Sequence, residues 1–344
     1  MENENDTIKN INYIDVRARN TKANLRINKI FYLQVANIIL LILIIFFLYK
    51  KEVKDIFNKT KISNTNPLST DEKIKFLKLL TNNDENGYKG IEKCLLNNPD
   101  DKLCIYHLIA PKEVIGKKKI LVGGKLGGSY VLLDDFQNVK IAYSFGINTN
   151  IQFDKALADR GIDIFMYDHT INSLPYENPK FHWKKIGLCG KISKNKQLKN
   201  LEEILKENGH LNEENMILKI DIEYWEWESI FDLDEEILNK FKYIAIEYHF
   251  KEESSYNNNQ LYYDVLKKIS KTHQSFYARC NGDRSKIVNF GNNRICYIIE
   301  VSYIIRKNNL FKRDEAIYPI YEFDYLPPVK GKLEMNLNIL KLFD

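Results

Sequence analysis

The stretch VKIAYSFGINTNIQFDKALADRGIDIFMYDHT, residues Val139–Thr170, decides the fold. Two short apolar runs, Val139–Ser144 and Ile162–Tyr167, flank a segment whose apolar residues have helical spacing, Ile151–Arg160. Gly161 follows that segment, at the position where a glycine commonly ends a helix. The stretch is therefore predicted to form one βαβ unit.

The two ends of this unit carry the first pattern that indicates a ligand. Gly146 forms the turn after the first strand, and Asp168 ends the second strand 22 positions later. Nucleotide-binding folds place an acidic residue, which accepts hydrogen bonds from a ribose, about 20 residues after the first glycine turn. Asp168 is thus predicted to bind ribose hydroxyls, with a purely structural unit as the alternative.

Short apolar runs continue to alternate with helical segments after this unit. Strands are predicted over Phe181–Ile186, Met216–Ile222, Tyr243–His249, Ser275–Arg279 and Arg294–Ile305, and helices over Leu198–Glu207, Ser229–Asn239 and Gln260–Lys271. Such alternation is typical of a parallel sheet with helices on both faces. No clear helix separates the last two strands, which predicts an antiparallel pair at one edge of a seven-strand α/β sheet.

A glycine-rich segment precedes the central unit. Lys119–Leu133 (KILVGGKLGGSYVLL) is predicted as two strands around a bend. A phosphate-binding P-loop is excluded, because Gly128 is followed by Ser129 and Tyr130 instead of the lysine and hydroxyl residue of that motif. A hairpin turn and a close approach of the backbone to a ligand both remain open.

The N-terminal region contains a long apolar run. Residues 30–49 carry no charge and, as a helix, would span about 30 Å, the thickness of a bilayer core. The predicted organisation is a tail over 1–29, a single transmembrane helix over 30–49 and a stalk over 50–69. A short tail before a large domain favours a type II orientation, with the domain in the lumen of an endomembrane or Golgi-like compartment.

The net charge argues against one class of partner. Residues 1–61 hold 11 basic and 6 acidic residues, whereas residues 62–344 hold 40 of each. Nucleic-acid binders carry a basic footprint in their folded domain, so no nucleic-acid partner is expected. The five cysteines show no metal-ligand spacing and no metal ligand is assigned, while Cys94 and Cys104 could form a local disulfide.

Polar residues or glycine stand at the ends of four predicted strands. In an open parallel sheet, ligands bind beyond the carboxyl ends of the strands, so these residues are expected to gather at one edge. They are Ser144 and Gly146, with Phe145 between them, at the first strand, Asp168 and His169 at the second, Asp221 and Glu223 at the fourth, and Glu247 and His249 at the fifth.

Asp221, Glu223 and His249 are the candidate catalytic residues. The two carboxylates could accept hydrogen bonds from a substrate, transfer protons together with His249, or bind a divalent cation. The structural alternative is that one of them caps the helix beginning near Trp225. Trp225 and Trp227 lie two positions apart and do not share a helix face, so one of them could contact a substrate ring or both could pack in the core.

An ordered set of motifs resembles a known family. The motifs are IAYSFGINTNIQFD (Ile141–Asp154), FMYDHT (Phe165–Thr170), NGH (Asn208–His210), LKIDIEYWEW (Leu218–Trp227) and IEYHF (Ile246–Phe250). They resemble the methyltransferase-like proteins of the class I S-adenosylmethionine (SAM) superfamily, in particular the FkbM-type group and its membrane-anchored methyltransferase-domain relatives. The resemblance implies a Rossmann-like seven-strand sheet, mostly parallel with an antiparallel edge, in a domain over 70–310 that a C-terminal extension over 311–344 follows.

The resemblance also implies SAM as the cofactor and roles for individual residues. The pocket beneath its methionine and ribose would be formed by Ser144, Phe145, Gly146 and Asn148, the ribose hydroxyls would bind Asp168 beside His169, and Asp221 and Glu223 would line the reaction side. The sequence departs from the family pattern at three places: Asn148 and Thr149 stand where a second glycine is expected, Tyr224 replaces the glycine after Glu223, and Gly127–Tyr130 (GGSY) lacks the acid of an Asp-Gly-Gly-Tyr pattern. Glycine permits positive φ, which Asn tolerates better than Tyr does.

The predicted function is SAM-dependent O-methylation of a small-molecule or glycan-like acceptor by direct displacement. The protein would hold donor and acceptor in line while Asp221, Glu223 or His249 accepts the hydroxyl proton. Two alternatives remain open. One is a membrane-anchored glycosyltransferase that uses Asp221 and Glu223 as a metal-nucleotide site, and the other is a catalytically inactive methyltransferase-fold binding module.

Overall fold

The structure is a computed structural model. It describes residues 69–80, 104–124, 128–191, 195–251, 256–281, 286–290 and 293–314, and the single positions 51, 92, 94, 96, 316, 320, 322, 323 and 340. The chain divides into two compact units, Met1–Lys61 and Ile62–Asp344. Apart from Lys51, every described residue belongs to the second unit.

The predicted membrane anchor is not supported. Residues 30–49 lie outside the described residues, and none of the helices that are described is long and apolar enough to cross a bilayer. The longest of these helices has 17 residues and carries an aspartate and several lysines. Two expectations are therefore wrong as far as the described residues show. One is a fold preceded by one transmembrane helix, and the other is a single-pass membrane protein in an endomembrane or Golgi-like compartment.

The described residues form fifteen strands, several of them very short. They are β1 (Lys112–Val114), β2 (Lys119–Val122), β3 (Tyr130–Leu133), β4 (Ile141–Phe145), β5 (Asp163–Tyr167), β6 (Phe181–Lys184), β7 (Gly187–Leu188), β8 (Leu198–Lys199), β9 (Met216–Ile220), β10 (Phe241–His249), β11 (His273–Cys280), β12 (Ile287–Phe290), β13 (Asn293–Cys296), β14 (Ile298–Ile305) and β15 (Phe311–Arg313).

Seven of the strands form one mixed sheet, in the order β6-β5-β4-β9-β10-β14-β11. Neighbouring strands from β6 to β10 run parallel, and β14 runs antiparallel to both β10 and β11. The predicted seven-strand α/β sheet with an antiparallel pair at one edge is thus confirmed. The part from β6 to β10 follows the strand order 3-2-1-4-5 of doubly wound nucleotide-binding sheets.

Seven helices have bounds within the described part of the chain. They are α1 (Thr70–Leu80), α2 (Tyr106–Ile109), α3 (Gln152–Ala158), α4 (Leu201–Glu207), α5 (Glu226–Phe231), α6 (Glu235–Leu238) and α7 (Tyr256–Thr272). The connection from β4 to β5 contains α3, as the βαβ prediction requires. The strand order reverses between β4 and β9, which places a crevice between the carboxyl ends of these two strands.

The core lies in the centre of the sheet. Every residue of β9, β10 and β11 is buried, including the few polar ones. Strands covered on both faces have near-continuous apolar sequences, which explains why these strands were recognisable as runs without alternation. A buried charge in such a strand needs a specific partner, and the candidate site contains several of them.

Some element boundaries differ from the prediction. The long strand predicted over Arg294–Ile305 is interrupted at Tyr297, so that its first part forms the β12–β13 hairpin and its second part is β14. The helix predicted over Ser229–Asn239 is two short helices, α5 and α6. In α4, Asn200 forms a capping box with Glu203, which starts the helix three residues later than predicted.

The segments around the main sheet also bear on the predictions. β2 and β3 pair antiparallel, so the glycine-rich segment is a hairpin as expected, with residues 125–127 of its bend outside the described residues. Cys94 and Cys104 form a disulfide, a pairing that the sequence allowed but did not decide, and a second disulfide joins Cys280 to Cys296. β15, at the start of the predicted C-terminal extension, pairs with β1.

Candidate functional site

The candidate site lies at the carboxyl ends of the parallel strands, where strand order reverses. The turn after β4 begins at Gly146, whose φ is +75°. A Cβ atom at this position would lie 1.6 Å from the backbone carbonyl oxygen of Asp221, at the end of β9. Only glycine fits here, because both the backbone conformation and the contact exclude a side chain. The loops after β4 and β9 are therefore in direct contact.

Asp168 holds the loop after β4 in place. Its Oδ2 atom accepts hydrogen bonds from the backbone amides of Ile147 (2.9 Å) and Asn148 (2.8 Å). Its Oδ1 atom accepts from the amide (2.8 Å) and hydroxyl (2.6 Å) of Thr170. Burial alone would raise the pKa of Asp168, but these hydrogen bonds outweigh it and hold the pKa below its usual value.

These contacts bear on the predicted ribose role of Asp168. An ionised carboxylate offers about four acceptor positions, and all of them are used within the loop. A ribose hydroxyl would have to displace one of these donors. His169 and Asn148 are exposed beside it, so their side chains are accessible to a ligand. Ribose binding by Asp168 stays a prediction.

The other predicted cofactor residues of β4 point elsewhere. Ser144 and Phe145 are buried in the strand, with 1% and 0% of their surface exposed. The Phe145 ring stacks on Tyr167 at a centroid distance of 5.2 Å, and the Ser144 hydroxyl lies near the buried carboxyl group of Asp154. Neither side chain is open to a ligand, because the strand continues one residue further than predicted.

Lys219, on β9, is a site residue that sequence reasoning missed. Its side chain is 6% exposed, and its Nζ atom donates to the backbone carbonyls of Phe145 (3.1 Å) and Gly146. The same atom lies 3.6 Å from Oδ2 of Asp221. Lys219 thus ties the loop after β4 to the end of β9. The signal was present in the sequence, since it is the one charge in the apolar run MILKI.

Asp221, Glu247 and His249 form a cluster at the ends of β9 and β10. One donor atom from each of the three residues lies within 4.8 Å of the other two. Nε2 of His249 is 3.3 Å from Oε1 of Glu247 and 3.4 Å from Oε2 of Glu223. The structure therefore brings the three predicted catalytic residues together and adds Glu247, which faces the crevice from β10.

Glu226, on α5, contacts His249 and is a second site residue that was not predicted. It is fully buried, and its Oε1 atom accepts a hydrogen bond from the backbone amide of His249 at 2.7 Å. The same oxygen lies 3.2 Å from Nδ1 of the His249 ring. Trp227 donates from Nε1 to the His249 carbonyl oxygen at 2.8 Å. The histidine is thus fixed through its backbone and its ring.

The ionisable groups of the cluster shift one another's pKa values. Burial lowers the pKa of His249, but the carboxylates of Glu226 and Glu247 raise it more, to about 10. Burial raises the pKa of Asp221, and Glu247 adds to this effect while Lys219 opposes it. Burial also acts to raise the pKa of Glu247, yet His249 and the Asn281 amide outweigh it and lower the pKa. Without a cation, His249 is therefore positively charged near neutral pH.

The loop between β9 and α5 has a strained backbone. Glu223 and Tyr224 have φ values of +53° and +79°, which residues other than glycine rarely adopt. The Tyr224 ring covers His249 at a centroid distance of 5.4 Å, and the ammonium group of Lys251 lies 5.1 Å from the Tyr224 ring centroid. The backbone at Tyr224 thus has a conformation that favours glycine.

Two smaller expectations are settled by the geometry. The N-cap residue of α5 is Trp225, and no side chain makes a capping hydrogen bond there, so neither Asp221 nor Glu223 caps this helix. Trp227 is buried against Tyr248 and Tyr262, whereas Trp225 is 55% exposed. Core packing accounts for Trp227, and only Trp225 is open to a substrate.

Comparison with known proteins adds no assignment. No family model matches this chain, and no curated protein matches it either. The resemblance to SAM-dependent methyltransferases stays a prediction.

Proposed function

We propose that this protein is a SAM-dependent methyltransferase that acts on an oxygen atom of a small-molecule or glycan-like acceptor. The observation that carries the proposal is the contact between Gly146 and Asp221 across the point where strand order reverses. This crevice is where open α/β sheets bind nucleotide-like ligands. The seven-strand sheet with one antiparallel strand near its edge is also the sheet that the family resemblance implies.

The residues present fit the cofactor on one side of the crevice. The Gly146 turn, the exposed side chains of Asn148 and His169 and the loop held by Asp168 would receive its ribose and methionine parts. Ser144 and Phe145 would support this loop from the core, since their side chains are buried. The bound cofactor would supply an electrophilic methyl group. Residues of this chain would bind and orient the two reactants and accept the hydroxyl proton.

The other side of the crevice provides the groups that handle the acceptor. A protonated imidazole cannot take a proton, so the raised pKa of His249 removes it as general base in the cation-free protein. The side chain of Asp221 is 29% exposed and can meet an acceptor hydroxyl. The proposal therefore gives Asp221 the proton-accepting role and gives Lys219 and His249 positioning roles around it.

A calorimetric titration of the full-length chain with SAM and S-adenosylhomocysteine tests the proposal. We expect one binding site, and we expect Asp168→Asn to weaken binding at least tenfold, because it removes the charged acceptor that orders the amides of the loop. Asp163→Asn is the matched control, since Asp163 lies at the opposite end of the same strand. Absence of binding by both ligands would rule the proposal out.

The glycosyltransferase alternative retains one supporting observation. The acidic cluster contains Asp221, and nucleotide sugars are commonly held through a divalent cation by carboxylates. A parallel titration with nucleoside diphosphates in the presence of Mn²⁺ separates the two candidates. Binding of the diphosphate without binding of SAM favours the glycosyltransferase.

A further inference from the structure

We infer that Asp221, Glu247 and His249 form a binding site for one divalent cation of the Mn²⁺ or Zn²⁺ class. The three residues supply two carboxylate oxygens and one imidazole nitrogen from the adjacent ends of β9 and β10. Mixed oxygen and nitrogen donors suit Mn²⁺ and Zn²⁺ better than Ca²⁺, which takes six to eight oxygen ligands.

The distances fit such a cation. Donor atoms bound at about 2.1 Å to one ion lie roughly 3.0 to 4.2 Å from one another, depending on the coordination geometry. The three donor atoms lie within 4.8 Å, so side-chain shifts of a few tenths of an ångström close the site. Asp221 is half-buried, and this leaves the open side of the cluster facing the crevice. Three protein ligands and an open position are the arrangement of catalytic metal sites.

A second, independent observation comes from the histidine ring. His249 is 1% exposed, and its Nε2 atom makes no hydrogen bond of normal geometry, although it lies 3.3 and 3.4 Å from carboxylate oxygens of Glu247 and Glu223. This buried atom therefore faces carboxylate oxygens, and the carboxylate of Asp221 belongs to the same cluster. The other ring nitrogen, Nδ1, lies 3.2 Å from the buried carboxylate of Glu226. Histidines that bind metals pair their second nitrogen with a carboxylate in this way, which fixes the ring and its tautomer.

The surroundings of Glu247 point in the same direction. The Asn281 amide donates to Oε2 of Glu247, and this contact leaves Oε1 on the side of His249. Glu223, whose side chain is 78% exposed, reaches within 3.4 Å of the same histidine nitrogen. The imidazole of His249 is therefore surrounded by four carboxylates, those of Asp221, Glu223, Glu226 and Glu247. Among the described residues, Lys219 forms an ion pair with Asp221.

The cation would also determine which class of acceptor binds, and this part of the inference rests on the proposed function. A cation bound at an open site orients an acceptor oxygen and lowers the pKa of the hydroxyl that coordinates it. Asp221 would then be a ligand, and the hydroxyl proton would pass to the exposed carboxylate of Glu223 or to water. Acceptors with two adjacent oxygens, such as vicinal diols or hydroxy acids, suit this site best.

Cation binding is tested on the full-length chain after removal of metals with a chelator. Mn²⁺ is titrated in while the electron paramagnetic resonance signal of the free ion is recorded. We expect one bound Mn²⁺ per chain that excess Zn²⁺ displaces and excess Ca²⁺ does not. Asp221→Asn and Glu247→Gln should each weaken binding at least tenfold. Glu226→Gln should weaken it about tenfold through the orientation of His249.

The control is Asp163→Asn, which removes a carboxylate that pairs with a histidine, His182, away from the cluster. Its affinity for Mn²⁺ should equal that of the native chain. Circular dichroism verifies folding, and the partly exposed Asp221 is the substitution least able to disturb it. If Mn²⁺ does not bind, or binds all variants equally, the cation site is refuted. A chain that binds Mn²⁺ but neither SAM nor S-adenosylhomocysteine keeps the site and refutes the methyltransferase.

Discussion

Gly146 and Asp221 directly follow the neighbouring parallel strands β4 and β9, and their backbones are in contact at the point where the order of strands reverses. A Cβ atom on Gly146 would lie 1.6 Å from the carbonyl oxygen of Asp221. Gly161, at the end of α3, has a similar φ of +84° and open space around it. A comparison of substitutions at the two glycines therefore separates the free-energy cost of backbone strain from that of a steric clash.

We expect Gly146→Ala to destabilise the protein by about 3 kcal/mol or more. Left-handed strain contributes roughly 1 kcal/mol and the forced separation of two packed loops the remainder. Gly161→Ala should cost only about 1 kcal/mol, because strain is its single component. Urea unfolding of the two variants measures the difference. Equal losses of stability would show that the loops after β4 and β9 are not in contact.

A second pair of residues holds the hairpin of β2 and β3 against the sheet. The guanidinium of Arg279 makes two hydrogen bonds to the carboxylate of Glu300, at 2.7 and 2.9 Å, and a third to the carbonyl oxygen of Ser129 at 2.6 Å. All three residues are buried. Arg279→Met would leave a buried carboxylate without its partner, and we expect a loss of about 3–5 kcal/mol.

The double variant of this pair provides the control. Replacing Arg279 by Met and Glu300 by Leu together removes both charges and keeps apolar volume in their place. We expect it to recover most of the stability that Arg279→Met loses, because well-packed apolar residues often replace a buried ion pair without net cost. A double variant as unstable as the single one would mean that the hydrogen bonds from Arg279 to the carbonyl oxygens of Ser129 and Phe323, and not the ion pair, carry the stabilisation.

The sheet could be predicted because its central strands are apolar runs separated by turns and helices. The interruption at Tyr297 could not, since RICYIIEVSYII reads as one continuous β-rich run. Its two halves pair with different strands, β12 and β10, and such pairing depends on the tertiary fold. The prediction of a membrane anchor rested on residues 30–49, which lie outside the described residues.

Prediction of the site succeeded where a residue type at a strand end was informative. Asp221 and His249 were found in this way, and the structure places them in one cluster. Glu226 was missed because it lies inside the helix that was predicted to begin near Trp225, where a glutamate is usually exposed. Its burial follows from the packing of α5 on β10 and α7. Asp168 was found, but its partners are backbone amides, which no sequence pattern reveals.

His273 at the start of β11 makes stability depend on pH. The ring is buried, its Nε2 atom donates to the carbonyl oxygen of Phe241 (2.9 Å), and burial lowers the pKa to about 4. The unfolded chain takes up a proton at about pH 6.5, so the stabilisation is complete above that pH and is lost as the pH falls towards 4. We expect this histidine to account for a loss of about 2 kcal/mol by pH 5.

The contribution of His273 is isolated by comparison with His273→Gln, which does not titrate. The free energy of unfolding is measured in urea for both proteins at pH 7.5 and pH 5. The native chain should lose about 2 kcal/mol more than the variant between these two values. If the two proteins change in parallel, other groups cause the pH dependence and the ring of His273 is not held neutral.

Tyr224 provides a test of the strained loop beside the candidate site. Its φ of +79° is favourable for glycine and costs other residues about 1–2 kcal/mol. Tyr224→Gly and Tyr224→Ala both remove the ring that covers His249, and they differ only in the Cβ atom. We expect the glycine variant to be the more stable of the two by about 1 kcal/mol, which reverses the order found in regular secondary structure. Urea unfolding of both variants measures this order, and a more stable alanine variant would show that the backbone does not hold the left-handed conformation.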